Sequence, residues 1–298
     1  MKTFKHWLLL LLWLWLAQLS HAQDRLGSLK QQPAASTSAS TVSPPDLPFG
    51  TDELMRVPQV VLPLPPASMR DDLLSRLEKT RNAPGVPLRV GTEREVEQTG
   101  TVARLRTIAP PLLQADGSYR IAIKVRSPKA EAVRLALQFT DIDPRVSLRF
   151  LASDGQTQYG PTTRGEEILD MLSKNMASND LSSDSVTWWS PSINGDSLIV
   201  VLDLPDKLAV QGTLMAITRI SHLEFTAKDV LLMPFSSGSC NRDAACESAY
   251  ADAAASVAQI RFQSGGYTYS CSGTLMNNAG YDLTPYFLTA NHCINTQT

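Results

Sequence analysis

The chain has 298 residues, 27 of them basic and 29 acidic, for a formal charge of -2, and 43% are hydrophobic. That length allows one or two folded domains, and the near-balanced, slightly acidic charge argues against a nucleic-acid or anionic-membrane partner. The sequence contains no nucleotide-binding glycine loop, Cys-x-x-Cys or His-x-x-x-His string, so no cofactor and no metal is expected.

Lys2 and Lys5 precede an apolar run from Trp7 to Ala17, and small residues at Ser20 and Ala22 stand before Gln23. This is the layout of a signal peptide over residues 1–22, because the run is shorter than the roughly 20 residues a bilayer core requires. Cleavage after Ala22 removes two lysines and no acids, which takes the formal charge from -2 to -4. The mature chain is expected to be secreted, extracellular or periplasmic, and to have no membrane partner. Residues 23–60 follow as a low-complexity linker. Within it, Gln31 to Gly50 is rich in Ser, Thr, Ala and Pro and has too little apolar surface to build a core.

A short amphipathic helix is predicted next. Ser68-Met-Arg-Asp71 has the form of a capping box with Asp for the usual Glu, and Met69, Leu73, Leu74 and Leu77 recur at helical spacing until Asn82-Ala-Pro-Gly ends the run. From Leu88 to about Val230 the dominant period becomes two. Tyr119–Val125, Val133–Phe139, Val146–Phe150, the stripe Leu198, Val200, Leu202, Leu204 and the run Thr213–Ile220 all read as strands. Turn residues separate them, so residues 61–234 are expected to form an antiparallel β-sandwich in an all-β chain. Arg164 to Asn175 fits either a helix or a structured loop.

At Phe235 the texture changes. No cysteine occurs before Cys240, and all four, Cys240, Cys246, Cys271 and Cys293, lie beyond this point. In an exported chain they are candidates for disulfides, and four cysteines allow three pairings. Ala251 to Ala258 is either helix or loop, and Gln259-Ile-Arg-Phe262 reads as a strand entering Tyr267-Thr-Tyr-Ser-Cys271.

Three strings in this last region carry chemistry: Ser236-Ser-Gly-Ser-Cys240-Asn with Cys246 six residues on, Cys271-Ser-Gly-Thr-Leu-Met-Asn-Asn, and Tyr286-Phe-Leu-Thr-Ala-Asn-His292-Cys293. Together they resemble the start of a trypsin-like serine protease, and more narrowly that of the bacterial lysyl endopeptidases, which are secreted with an N-terminal propeptide. Upstream, Leu88-Arg-Val-Gly91, Ile123 to Ala130 and Trp189 to Leu198 resemble the prodomains of that family more loosely. The resemblance implies that residues 61–234 are a β-rich propeptide domain and residues 235–298 the N-terminal fragment of a trypsin-like β-barrel. It implies that Cys271 pairs with Cys293 across a hairpin, and that Cys240 and Cys246 are unpaired or paired with cysteines farther downstream. His292 would be the general base of a Ser-His-Asp site whose acid and nucleophile follow it in chain order. The chain then reads as a truncated zymogen of a serine endopeptidase, inactive by itself. Its partners would be protein or peptide substrates, cleaved after Lys or Arg, and its own propeptide as intramolecular chaperone or inhibitor. Two departures from the family pattern stand out: Asn291 occupies a place usually held by alanine or histidine, and no lysine precedes Ser236 closer than Lys228, which speaks against self-cleavage after lysine.

Other strings yield to plainer readings. Gly195-Asp-Ser-Leu198 spells an esterase signature, but here the strand follows the motif instead of leading into it, so a turn is expected. His222 has no neighbour at metal-ligand spacing. Glu166 and Glu167 are adjacent and so do not share a helix face. Trp188-Trp189 would serve as a sugar-stacking platform only if its rings were exposed. The alternative to a protease precursor is a non-catalytic secreted β-sandwich binding protein that carries a vestigial protease remnant.

Overall fold

The computed structural model describes residues 49, 51–80, 85–177, 183–226, 228–229, 246–280, 282 and 284–294. The expected signal peptide, the first part of the linker and Cys240 lie outside the described residues, while the end of the linker is structured and enters β1 at Gln59. The chain runs from β1 (Gln59–Val61) through helix α1 (Ala67–Thr80) to β2 (Leu88–Glu95), helix α2 (Val102–Ile108), β3 (Leu112–Leu113), β4 (Tyr119–Arg126), β5 (Ala132–Asp141), β6 (Ser147–Ala152) and β7 (Thr163–Arg164). Helix α3 (Gly165–Ala177) leads to β8 (Thr187–Trp189), β9 (Ile193–Asn194), β10 (Ser197–Leu204), helix α4 (Lys207–Gln211) and β11 (Leu214–Leu223). Helix α5 (Ala251–Ala255), β12 (Val257–Ser264), β13 (Tyr267–Met276) and β14 (Tyr286–Thr289) complete the order.

The strands form two sheets. One is ordered β1-β4-β10-β6-β7 with β3 on β4, and the other β12-β13-β2-β11-β5-β8 with β14 on β13 and β9 on β5. All pairings are antiparallel except β1 with β4. Alternation places Ile121, Ile123 and Val125 of β4, Phe150 of β6 and Leu198, Val200 and Leu202 of β10 on one inner face, opposite Leu135 and Leu137 of β5 and Ile217 and Ile220 of β11. Two sheets with apolar inner faces exclude water between them, which is the expected all-β sandwich. β10 is buried on both sides, because Ile199 and Val201 pack outward with Leu151 under Phe49.

Local chemistry explains where the sequence reading needs correction. Helix α1 begins at Ala67, so Ser68 lies inside it and does not cap it. The proline pair at 65 and 66 leads in, and Met69 N–H reaches the Pro66 carbonyl, since a proline at a helix start lacks only a donor that would be unpaired there anyway. Of the stretch Arg164 to Asn175, Arg164 ends β7 and the rest is helical, and the Glu167 carboxylate accepts from Arg164 N at 3.0 Å to close the first turn. Two further helices, α2 and α4, interrupt the stretch whose dominant period is two. Both announce themselves through N-caps: Thr101 accepts from Arg104 N and Asp206 from Ala209 N. In β11 a bulge between Ile217 and Arg219 shifts the phase, so Ile217 and Ile220 both point inward while Arg219 turns out to meet Glu93 at 2.7 Å. The second sheet runs without interruption across the change of composition at Phe235, because β13 pairs with β2.

Candidate active site

The C-terminal hairpins are built by glycine. Gly265 and Gly266 stand at φ +56° and +82°, the left-handed pair that a two-residue hairpin turn requires, and they fold β12 back on β13 over eight paired residues from Val257 to Ser264. Sequence reasoning saw the strand entering Tyr267 but missed this turn, although Gly-Gly between alternating residues signals it. Farther along, β13 pairs with β14 from Gly273 opposite Thr289 to Met276 opposite Tyr286. Gly273 permits that approach: a Cβ there would sit 2.3 Å from Phe287 Cε1 and 2.7 Å from the Leu288 carbonyl oxygen. Thr289 Oγ1 donates to the Ser272 carbonyl at 2.8 Å and pins the strand end beside Cys271.

After Ala290 the chain turns through Asn291–Cys293, and Cys293 N–H donates back to the Ala290 carbonyl. Cys271 and Cys293 are joined by a disulfide with Cα atoms 6.1 Å apart. The turn, the strand pairing and the disulfide together fix His292 at the end of the hairpin, half-buried. A donor atom of its imidazole and the two sulfurs lie within 4.8 Å of one another. Sulfurs bonded to each other have no thiolate to give a metal, so the cluster is an imidazole braced by a disulfide. From the N-terminal side, Gly85 comes alongside, and an added Cβ would lie 3.8 Å from His292 Nδ1. Cys246 is a free, exposed thiol.

The remaining candidates fall elsewhere. Ser197 is buried at the start of β10, after a turn in which Gly195 has φ +97°, so its hydroxyl faces no cleft. Glu166 pairs with Arg164 at 2.6 Å on the surface of α3. Trp188 stacks on Phe150 with centroids 5.4 Å apart, and the guanidiniums of Arg134 and Arg219 lie over the Trp189 ring, which leaves no open aromatic platform for a sugar. His222 has neighbours that the sequence did not foretell: Nδ1 shares a hydrogen bond with Ser127 Oγ at 2.8 Å, and Nε2 lies 3.3 Å from Glu224 Oε1 without hydrogen-bond geometry. Arg94 Nη1 donates to the same hydroxyl at 2.8 Å, which leaves the Ser127 O–H to donate its hydrogen bond to Nδ1 of the ring. All of Ser127, His222 and Glu224 are buried, which makes this a structural network with no access for substrate.

Comparison with known proteins identifies the family of the chain. The family model described as the lysyl endopeptidase N-terminal domain matches residues 62–224, and that described as the lysyl endopeptidase C-terminal domain matches residues 235–298. The chain belongs to the lysyl endopeptidase family. A lysyl endopeptidase of Pseudomonas aeruginosa is 29% identical over 227 residues, which cover 72% of this chain and 45% of that protein. This member of the lysyl endopeptidase family therefore spans a little under half the length of that relative. Among solved structures, the insecticidal delta-endotoxin Cry8Ea1 of Bacillus thuringiensis overlaps 35% of this chain and 18% of its own at 16% identity and a TM-score of 0.18, a likeness that carries no argument. No helix among the described residues is long and apolar enough to cross a membrane.

Proposed function

We propose that this chain is the signal, propeptide and histidine-bearing start of a secreted serine endopeptidase zymogen, with His292 as general base of a Ser-His-Asp site. The supporting observation is the Thr289-Ala-Asn-His-Cys turn, where Thr289 pins the hairpin to Ser272 and the disulfide to Cys271 holds the imidazole in place. A general base must be presented at a fixed angle to a hydroxyl, and side chains held by strand, turn and cross-link meet that demand. His292 takes the proton of the attacking serine and returns it to the leaving amine, while an aspartate orients the ring and stabilises the imidazolium. Substrates are proteins or peptides cut after lysine or arginine, and the domain over residues 61–234 acts on the catalytic domain as chaperone or inhibitor.

By the same account residues 23–298 hydrolyse nothing, since a base without a nucleophile has nothing to deprotonate. Turnover of a lysyl peptide amide by that purified segment, abolished by His292→Ala, would overturn the proposal. Reading the gene past the codon for Thr298 tests it at the level of sequence. An aspartate and then a Gly-x-Ser-Gly loop in frame support the protease, whereas a stop codon points to the non-catalytic β-sandwich binding protein.

A further inference from the structure

The two halves of β13 have different surroundings. Thr268 and Ser270 in the first half are buried, whereas Leu275 and Met276 in the second are about half exposed. The first half is covered by β2, which pairs Thr92, Gly91, Arg89 and Leu88 with Tyr267, Thr268, Tyr269 and Ser270, and Glu93 N–H extends the ladder to the Gly266 carbonyl at 2.9 Å. β2 thus occupies the same edge of β13 that β14 occupies farther on. Side chains reinforce the pairing. The Arg89 guanidinium stacks 3.4 Å from the Tyr267 ring centroid and is held from behind by Asp72 of α1 at 2.9 Å. Ser221 of β11 hydrogen-bonds Thr268. On the far side Arg261 of β12 donates to Ser192 Oγ at 2.6 Å, so the hairpin is gripped at two separate places.

We propose that the edge of β13 from Tyr267 to Ser270 is a docking surface for this protein's own N-terminal domain, occupied by strand addition of β2 and anchored by Arg89 on Tyr267. Main-chain pairing of this kind needs no covalent link between the partners, so the two parts stay together after the chain between them is cut. The turn before β2 also brings Gly85 beside His292, so the docked strand holds the N-terminal domain against the candidate base. The inference rests on the reading of residues 235–298 as the start of the catalytic domain, but its test involves no catalysis.

The test uses the whole chain. A site-specific protease recognition sequence is inserted between residues 230 and 239, ahead of all four cysteines, so that no disulfide can join the pieces. After cutting, the mixture is passed over a sizing column at micromolar concentration. The expected result is co-elution of both pieces in equal amounts, with Arg89→Ala weakening the complex about tenfold. Should Arg89→Ala fail to fold, Tyr267→Ala removes the same stack from the other side. Separation of the unmutated pieces on the column overturns the proposal, as does co-elution that neither variant weakens. A chain that proves not to be a peptidase leaves this result untouched, so the two readings fail separately.

Discussion

At the scale of single residues, the hairpin bearing His292 depends on groups chosen for space and constraint. Gly273→Val would drive its Cβ into the Leu288 carbonyl, 2.7 Å away, and backbone cannot move aside as a side-chain tip can. The expected outcome is loss of β14 pairing, seen as fast amide exchange at Leu288 while β10 amides stay protected. The disulfide closes a loop with a sequence separation of 22, and in the chain-entropy account replacing both cysteines by alanine lowers stability by about 3 kcal/mol. Denaturant unfolding of the oxidised wild-type chain against the double mutant measures it. Between β13 and β14, the Thr284 hydroxyl and amide and the Asn278 side chain bind the Asp282 carboxylate and hold its pKa at about 2, below the usual 3.8. A carboxyl whose folded pKa is depressed adds stability that is fully present above 3.8 and lost as the pH falls through about 2. Acid titration followed by NMR should therefore show the Asn278 to Thr284 contacts persisting at pH 4 and loosening toward pH 2, and Asp282→Asn should remove that dependence.

At the scale of elements, period-two patterning is a reliable guide where a strand has one wet and one dry face. Tyr119–Arg126 alternates in sequence and in burial alike, whereas in Ala132–Asp141 the small Ala132 and Ala136 are buried on the second face as well. It fails where geometry departs from a plain pleat. The β11 bulge swaps the faces after Ile217, and no residue type in Thr213–Ile220 announces an extra residue. β10 is buried on both faces, which its apolar Leu-Ile-Val-Val-Leu core already implies. The short helices α2 and α4 were legible only through Thr101 and Asp206, because seven and five residues are too few to display a 3.6 period. In the candidate site, the Leu-Thr-Ala-Asn-His-Cys string was legible as a motif. The covering of β13 by β2 was not, since nothing in a sequence states which distant strand finds an edge. The sandwich core offers its own test. Phe150 is fully buried and stacks on Trp188, so Phe150→Ala should destabilise the chain by about 3–5 kcal/mol in thermal or denaturant unfolding.

At the scale of the whole molecule, the N-terminal sandwich is well covered, while the C-terminal hairpin leaves Leu275, Met276, Tyr286, Phe287 and Leu288 largely exposed. By register Leu275 and Phe287 share one side of this ribbon and Met276 and Tyr286 the other, and exposed apolar side chains of this kind are characteristic of surfaces that pack against something; in the proposed zymogen the remainder of the catalytic barrel covers them. The same surface explains why residues 235–298 are expected to need β2 beside them: a two-hairpin fragment with an open edge buries too little apolar area to stand alone. The central claim is that His292 is the base of a peptidase. Its most direct test is the rate of hydrolysis of a lysyl peptide amide by the protein expressed from its complete reading frame, with and without His292→Ala. The account predicts measurable turnover that falls by on the order of 10⁴-fold or more in the variant, with folding unchanged by circular dichroism. Turnover that is undiminished by His292→Ala would contradict it.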